Sequence, residues 1–184
     1  MTAVQLPPGE DCGKPPPEGF ETFFMRYEPR LRRYLYTLGA RNSLLEDAAQ
    51  MTLEEAFRSW PSLQDHPRQD AWLFKVARQR YAKVCREHLM LGDLTDPVLF
   101  DRLHQDDATA DCDRRLDVLE QLRRLPGQQR EAVRLRWLMD LPYDAIAEAM
   151  GVRPSSARSL VSRALAQLAQ IQDEDKDKEE GGCT

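Results

Sequence analysis

YDAIAEAMGVRPSSARSLVSRA, residues 143–164, places its apolar side chains where two short helices that cross at a tight turn must touch. Gly151 is expected at the turn itself, because glycine readily adopts the left-handed backbone that ends a helix. The predicted contact residues between the two helices are Ile146, Ala147, Met150, Val152, Ala157 and Leu160. This spacing predicts a helix-turn-helix.

The second helix of this pair is predicted to expose basic and hydroxyl side chains but no carboxylate. These side chains are Arg153, Ser155, Ser156, Arg158, Ser159, Ser162 and Arg163. Guanidinium and hydroxyl groups suit DNA phosphates and base edges, whereas a merely solvated helix face normally carries both signs of charge. Helix pairs joined by a glycine turn are also common packing units in all-helical proteins, so the spacing alone does not exclude a pair with a purely structural role.

The bulk composition is that of an ordinary globular protein, with 184 residues, 41% hydrophobic and 31% charged. No stretch has the apolar length needed to span a bilayer, and the N-terminus MTAVQLPPGEDCGKPPP lacks the features of a signal peptide. We therefore expect a cytoplasmic protein without membrane insertion.

The net charge of −5 conceals a segregation of charge along the chain. Residues 26–88 and residues 114–170 each carry a net charge of +4. The acidic excess lies elsewhere: −3 in residues 1–25, −6 in residues 89–113 and −4 in residues 171–184. Two basic modules on an acidic tether are typical of two DNA-facing units, although acidic linkers also serve simply to keep chains soluble and extended.

The apolar periodicity predicts an all-α fold of two small helical domains joined by a flexible acidic linker. The predicted order is a disordered Pro-rich N-terminus (1–19), a three-helix domain (20–88), the linker (89–113), a helix-turn-helix domain (114–171) and a disordered acidic tail (172–184). In the first domain, helices are expected at 20–39, 44–60 and 71–88, with the polar loop SLQDHPRQD at 62–70. In the second, they are expected at 116–125, 128–139, 143–150 and 154–171.

No metal, cofactor or catalytic site is predicted. The cysteines (Cys12, Cys85, Cys112 and Cys183) and the histidines (His66, His88 and His104) lack metal-ligand spacing, and no phosphate loop or nucleophile constellation is present. We therefore expect free thiols, no cofactor and no enzymatic activity.

The second module, LPGQQREAVRLRWLMDLPYDAIAEAMGVRPSSARSLVSRALAQL, resembles the minus-35 recognition domain of extracytoplasmic-function (ECF) sigma factors, members of the sigma-70 family of RNA polymerase sigma factors. Its most specific parts are LPGQQRE at the entry and SRA at the exit. The resemblance covers residues 20–170 and implies that the exposed Arg and Ser residues of the second helix contact the minus-35 element.

The first module carries two further parts of the resemblance. DAAQMTLEEAF is similar to the segment with which these factors hold the β′ clamp helices of core polymerase, which implies core contacts by Asp47, Gln50, Met51, Glu54 and Phe57. AWLFKVARQRYAKVCREH resembles the helix that follows the base-capturing loop and lies on the minus-10 element. The implied minus-10 residues are Leu63, Gln64, Asp65, His66, Arg68, Lys75, Arg78, Gln79 and Lys83, with Arg80 and Arg86 as further cations for the backbone.

The resemblance implies a transcription initiation factor whose partners are core RNA polymerase (β′ clamp helices and β flap), promoter DNA and an anti-sigma factor. The chain departs from the family's common residues at Met51, Leu63, Gln79, Ala157 and Leu160, which leaves its promoter preference open. Two rival interpretations remain: a helix-turn-helix regulator that acts without being a polymerase subunit, and a helical adaptor that binds only protein. The first leaves DAAQ unexplained, and the second gives the Arg/Ser surface no purpose.

Overall fold

The structure is a computed structural model that describes the backbone of residues 16–90 and 118–181, and the side chains of residues 16–88 and 118–173. These residues form two compact units, N-terminal and C-terminal. All regular elements in the described ranges are helical, which confirms the predicted all-α fold of two small helical domains. Residues 1–15 of the predicted disordered N-terminus and residues 91–113 of the predicted linker lie outside the described residues.

Helix α1 (Phe20–Leu38) opens the N-terminal unit and buries one face of its surface. The buried residues recur at helical spacing and are Phe20, Phe23, Tyr27, Leu31, Tyr34 and Leu35. The helix ends at Gly39, whose φ of 104° lies in the left-handed region that glycine adopts at low cost. The amide of Ala40 closes the end by donating to the carbonyl of Leu35 at 3.0 Å. The predicted end of this helix is confirmed.

Within residues 16–90 the unit contains three further helices: α2 (Asn42–Arg58), α3 (Trp60–Leu63) and α4 (Gln69–Met90). The predicted loop at 62–70 is therefore too long, since only residues 64–68 separate α3 from α4. Pro61 explains the difference, because proline in the first turn of a helix lacks only an N–H group that would have no intrahelical partner. The domain boundary predicted at residue 88 falls inside α4.

The core of the N-terminal unit lies where α1, α2 and α4 pack together. Tyr34 and Phe74 are essentially fully buried there, with ring centroids 4.9 Å apart. At the surface, Arg32 joins α1 to α2 through two hydrogen bonds to the Glu46 carboxylate, at 2.5 and 2.8 Å. These bonds from Arg32 lower the pKa of Glu46. The three long helices thus form a packed scaffold for the residues on their outer surfaces.

In the described part of the C-terminal unit, the helical residues 118–123 (α5) are followed by α6 (Gly127–Val133), α7 (Tyr143–Met150) and α8 (Pro154–Gly181). One part of its core joins α5, α6 and α8 through Leu122, Leu125, Val133 and Ala164. A second part consists of Ala132, Leu160 and Val161, with Tyr143 and Met150 packed against them. Helices α7 and α8 are therefore fixed to the same α6.

Helices α7 and α8 form the predicted helix-turn-helix. Ile146, Ala147, Ala157 and Leu160 are buried between helices, and Met150 and Val152 are partly buried. Gly151 forms the turn with a φ of 68°, and the amide of Val152 donates to the carbonyl of Ala147 at 2.9 Å. The contact residues expected from the spacing are confirmed.

The helix predicted at 128–139 differs from the observed one. It is α-helical only to Val133 and continues as one π-helical turn, Arg134–Leu138. The amide of Met139 donates to the carbonyl of Arg134 at 3.2 Å, and Asp140 then adopts a φ of 54°. A π turn inserts one residue into the helical repeat, a change that apolar periodicity does not reveal.

The end of the chain also differs from the prediction, because α8 continues to Gly181 instead of ending at Ile171. The acidic tail predicted to be disordered from residue 172 is therefore helical through residue 181. The reason lies in its composition, since Glu and Lys are good helix formers.

Candidate nucleic-acid and polymerase interfaces

The exposed surface of α8, together with Arg153 just before it, carries every Arg and Ser residue that was predicted to contact DNA there. We call this set the recognition face: Arg153, Ser155, Ser156, Arg158, Ser159, Ser162 and Arg163, all of them exposed. Its hydroxyl and guanidinium groups make local contacts, since the Ser159 hydroxyl donates to the Ser155 carbonyl at 2.9 Å and Arg163 Nε donates to the Ser159 carbonyl at 3.3 Å. The sequence has no Asp or Glu between residues 149 and 172, so this part of the surface is electropositive.

Tyr143 lies beside the recognition face, and it is not among the residues predicted to be functional. The Arg158 guanidinium lies 5.2 Å from the centroid of the Tyr143 ring, and the Arg136 guanidinium lies 5.4 Å from it. Both distances fall within the range of cation–π attraction. No local sequence pattern predicts this arrangement, because apolar periodicity does not reveal the π turn that carries Arg136.

A buried ion pair lies inside the C-terminal unit. Arg134 Nη1 and Glu131 Oε2 lie 2.8 Å apart, and both side chains are less than 10% exposed. Next to this pair, Arg130 donates to the carbonyls of Arg123 (2.7 Å) and Leu125 (3.1 Å), which satisfies acceptors at the end of α5. The LPGQQRE entry segment therefore ties α5, α6 and the π turn together.

An open cleft of about 410 Å³ lies at the α3 end of the N-terminal unit. Its walls include the aromatic residues Phe23, Tyr27 and Trp60 and the polar residues Thr22, Arg26, Gln64 and Gln69. Gln69 Nε2 donates to the carbonyls of Leu63 (3.2 Å) and Gln64 (3.1 Å), so it closes the α3–α4 loop on itself. Gln64 was predicted from the sequence, but the α1 wall was not, because no local pattern shows which helix lies across from the loop.

The structure separates the predicted minus-10 residues into surface and core. Gln64 and Asp65 are exposed, while His66 and Arg68 are partly buried, with the His66 Nδ1 accepting from the Arg68 amide at 3.1 Å. Leu63 is only 2% exposed and lies in the core, so we leave it out of the proposed DNA surface. Its burial explains why an apolar residue is present in an otherwise polar segment.

Helix α4 presents Lys75, Gln79 and Lys83 to solvent along one side, and Arg78 is partly buried beside them. Arg86 is exposed, but Arg80 extends toward α2, where its guanidinium lies 2.9 Å from the Glu55 carboxylate. This ion pair makes Arg80 a link between helices. The cationic side of α4 is therefore a row of lysines with Arg78 and Arg86.

The predicted polymerase residues share one side of α2, which we call the α2 polar face: Asp47, Gln50, Met51, Glu54 and Phe57. Asp47, Gln50 and Phe57 are exposed, and Met51 and Glu54 are partly buried. Gln50 Nε2 donates to Glu54 at 3.1 Å, and the Asp47 carboxylate lies 3.7 Å from His88 on α4. The Phe57 ring meets Phe20 edge-on at 5.1 Å, which holds this aromatic side chain in place at the surface.

Neither a membrane-spanning helix nor a metal-binding group of three His, Cys, Asp or Glu side chains occurs among the described residues. Cys85 is a free, buried cysteine, and burial raises the pKa of its thiol. His66 and His88 lie at the positions described above, while Cys12, Cys112, Cys183 and His104 fall outside the described residues.

Comparison with known families matches both units. Residues 23–88 match the model described as sigma-70 region 2, and residues 115–168 match the model described as sigma-70 region 4. Among curated relatives, the ECF RNA polymerase sigma factor SigM of Bacillus subtilis is 26% identical over 155 residues, which cover 80% of this chain and 91% of SigM. The RNA polymerase sigma factor CarQ of Myxococcus xanthus is 26% identical over 162 residues, covering 84% and 89% of the two chains.

Among the solved structures that share the fold are two protein complexes. CnrH, in complex with the cytosolic domain of CnrY, has a TM-score of 0.64 at 19% identity and covers 85% of this chain and 88% of its own. The sigma factor RpoE of Bartonella quintana, in complex with the anti-sigma factor NepR, has a TM-score of 0.62 at 23% identity and covers 84% and 96%. At these identities the likeness establishes the fold, and the region matches establish what each unit resembles.

Proposed function

The chain belongs to the sigma-70 family of RNA polymerase sigma factors, of the ECF type, and on this premise we propose that it binds core polymerase, directs it to promoters and assists strand opening. The observation that carries the proposal is the order of the two units. A region 2 unit with a cationic helix and an aromatic cleft precedes a region 4 unit with an electropositive recognition face. Such a chain has two separate surfaces for one promoter.

For the C-terminal unit, we propose contact with the minus-35 element through the recognition face. An exposed helix that carries Arg and Ser has donors for phosphates and for base edges, and a helix-turn-helix presents its second helix to the major groove. Arg158 and Arg163 are the candidates for base contacts, because both are exposed on α8 after its first turn. Ser155 and Ser156, in that first turn, suit contacts with the DNA backbone.

For the N-terminal unit, the proposed partner is the minus-10 element. The lysines of α4 would hold phosphates in a salt-dependent way, and α4 begins at Gln69, which lines the cleft. A base that leaves the stack requires an apolar wall and hydrogen-bonding groups, and the cleft offers aromatic rings together with Gln64 and Arg26. This assignment extends the proposed minus-10 site from the loop to the facing side of α1.

We further assign the core polymerase contacts to both units. The α2 polar face combines a carboxylate, a carboxamide and an immobilised exposed phenyl ring, a combination suited to the β′ clamp helices. In the C-terminal unit, Trp137 on the π turn is 64% exposed, and such an aromatic side chain suits contact with the β flap. An anti-sigma factor is proposed as a further partner, since both structural neighbours were solved with protein partners.

Catalysis in this scheme belongs to the polymerase, and the chain itself acts as a non-enzymatic factor in the cytoplasm, where transcription takes place. A helix-turn-helix regulator that acts alone would bind promoter duplex tightly without polymerase. A sigma factor of the proposed kind requires core polymerase for promoter-specific binding. Gel-shift titration of promoter duplex with the chain alone and with holoenzyme separates these two functions.

Replacing Arg158 or Arg163 by alanine should weaken use of the minus-35 element by roughly 1–3 kcal/mol if that arginine reads a base, because a bidentate guanidinium contact is lost. If the arginine holds only phosphate, its replacement should instead weaken binding to all sequences alike and reduce the salt dependence of binding. The measurement is promoter binding by holoenzyme over a range of salt concentrations, with wild-type and altered minus-35 sequences.

Arg124→Ala provides the matched control, because it removes the same charge from an exposed position outside the recognition face. We expect near wild-type promoter binding for this variant. Equal losses for Arg124→Ala and Arg158→Ala would show that the recognition face has no special role.

A further inference from the structure

Tyr143 is fixed to the core of the C-terminal unit while its ring touches the recognition face. It is partly buried and packs against the cluster of Ala132, Leu160 and Val161. Its ring lies 5.2 Å from the Arg158 guanidinium, on the neighbouring helix α8. Because Tyr143 is anchored in this way, its ring holds a fixed position relative to the core beside Arg158.

The second cation on this ring, Arg136, is itself anchored. Its Nη1 donates to the carbonyl of Leu141 at 3.1 Å and lies 3.6 Å from the Asp140 carboxylate. Arg136 therefore lies on the ring as part of the π turn, whereas Arg158 extends from an exposed position on α8. The two guanidinium groups share one aromatic ring but have different surroundings.

An aromatic ring can orient a guanidinium group without occupying its N–H donors. Cation–π attraction acts on the plane of the group, and all five N–H donors stay available for a phosphate or a base edge. An arginine that is already oriented also loses less side-chain entropy when it binds. Arg158 is thus prepared for a directional contact.

We propose that Tyr143 is a positioning residue for promoter recognition, which orients Arg158 for its contact with the minus-35 element. This inference rests on the proposed function, since it assumes that the recognition face meets DNA. Tyr143 acts through Arg158 and not through its own hydroxyl group. A leucine at this position keeps an apolar side chain but removes the ring, and should lower promoter use about two- to five-fold.

The test is a double-mutant cycle with the full-length chain and core polymerase, with initiation measured at subsaturating holoenzyme. We expect Tyr143→Phe and Tyr143→Trp to retain wild-type initiation, because both keep an aromatic ring. Tyr143→Leu should lose activity in the wild-type background but cause no further loss in the Arg158→Ala background. Thermal unfolding of each variant identifies any loss that comes from folding.

A second readout does not depend on DNA. In nitrogen-15 NMR spectra of the free protein, the Arg158 Nε–H resonance should show a ring-current shift that persists in Tyr143→Phe and disappears in Tyr143→Leu. Arg158→Ala assigns the resonance.

Three outcomes would overturn the proposal while leaving the sigma-factor function intact. In the first, Tyr143→Leu has the same effect with and without Arg158, so the tyrosine acts independently. In the second, Tyr143→Phe is as impaired as Tyr143→Leu, so the hydroxyl makes the contact. In the third, the ring-current shift is absent. A failure of the proposed function has a different signature, namely no promoter-dependent initiation by the wild-type chain.

Discussion

Replacing Glu131 by alanine is expected to destabilise the C-terminal unit by about 3–5 kcal/mol, because it leaves the Arg134 guanidinium buried without its carboxylate. Arg134 is only 7% exposed and cannot recover its hydration without local unfolding. A loss of this size approaches the total stability of a small domain. Urea unfolding measures the change, and hydrogen exchange assigns it to residues 118–173 as opposed to residues 16–88.

Two controls separate burial from charge. Lys83 and Glu87 form an exposed pair at 3.7 Å, so Glu87→Ala should cost less than about 1 kcal/mol. The double replacement Glu131→Leu with Arg134→Met removes both charges and should recover most of the stability lost by Glu131→Ala. A cost for Glu131→Ala as small as that for Glu87→Ala would contradict the role given to the buried pair.

Asp47→Lys is expected to weaken binding to core polymerase by about 2 kcal/mol or more, or roughly thirty-fold, if Asp47 is a central contact of the α2 polar face. The substitution reverses the charge of a side chain that is 51% exposed, and its neighbour His88 lies 3.7 Å away. Because the Asp47 side chain is half exposed, the fold should tolerate the change. Binding is measured by competition for core polymerase, with circular dichroism as the test of folding.

Glu21→Lys is the control for this prediction, because Glu21 is an exposed acidic residue on α1, outside the α2 polar face. It makes the same change of charge and should leave core affinity within about two-fold of wild type. If both variants bind core polymerase equally well, the α2 polar face does not hold the clamp.

Much of the fold follows from apolar spacing. The regular recurrence from Phe20 to Leu35 predicts α1, and Gly39 ends it because few other residues adopt its backbone conformation at low cost. The helix-turn-helix is equally predictable from the sequence, since Ile146, Ala157 and Gly151 occupy positions that this motif requires.

The features that the sequence did not reveal depend on backbone hydrogen bonds or on distant neighbours. The π turn at Arg134–Leu138 changes the register by one residue without changing the composition. Pro61 suggested a loop but lies in the first turn of α3.

The candidate sites also contain some features that helical spacing predicts and others that depend on distant neighbours. Exposure of the recognition face follows from helical spacing, because its buried counterparts Ala157 and Leu160 fix the orientation of α8. The ring of Tyr143 beside Arg158, and the aromatic wall opposite Gln64, bring together residues from separate helices. Such pairings depend on tertiary packing, which helical spacing alone does not reveal.

Run-off transcription with purified core polymerase on genomic fragments tests the central claim most directly. The proposed function predicts that adding the full-length chain produces discrete transcripts from specific start sites, which core polymerase alone does not make. Transcription that stays at the level of core polymerase alone, on all fragments, would contradict the assignment of this chain as a promoter-directing sigma factor.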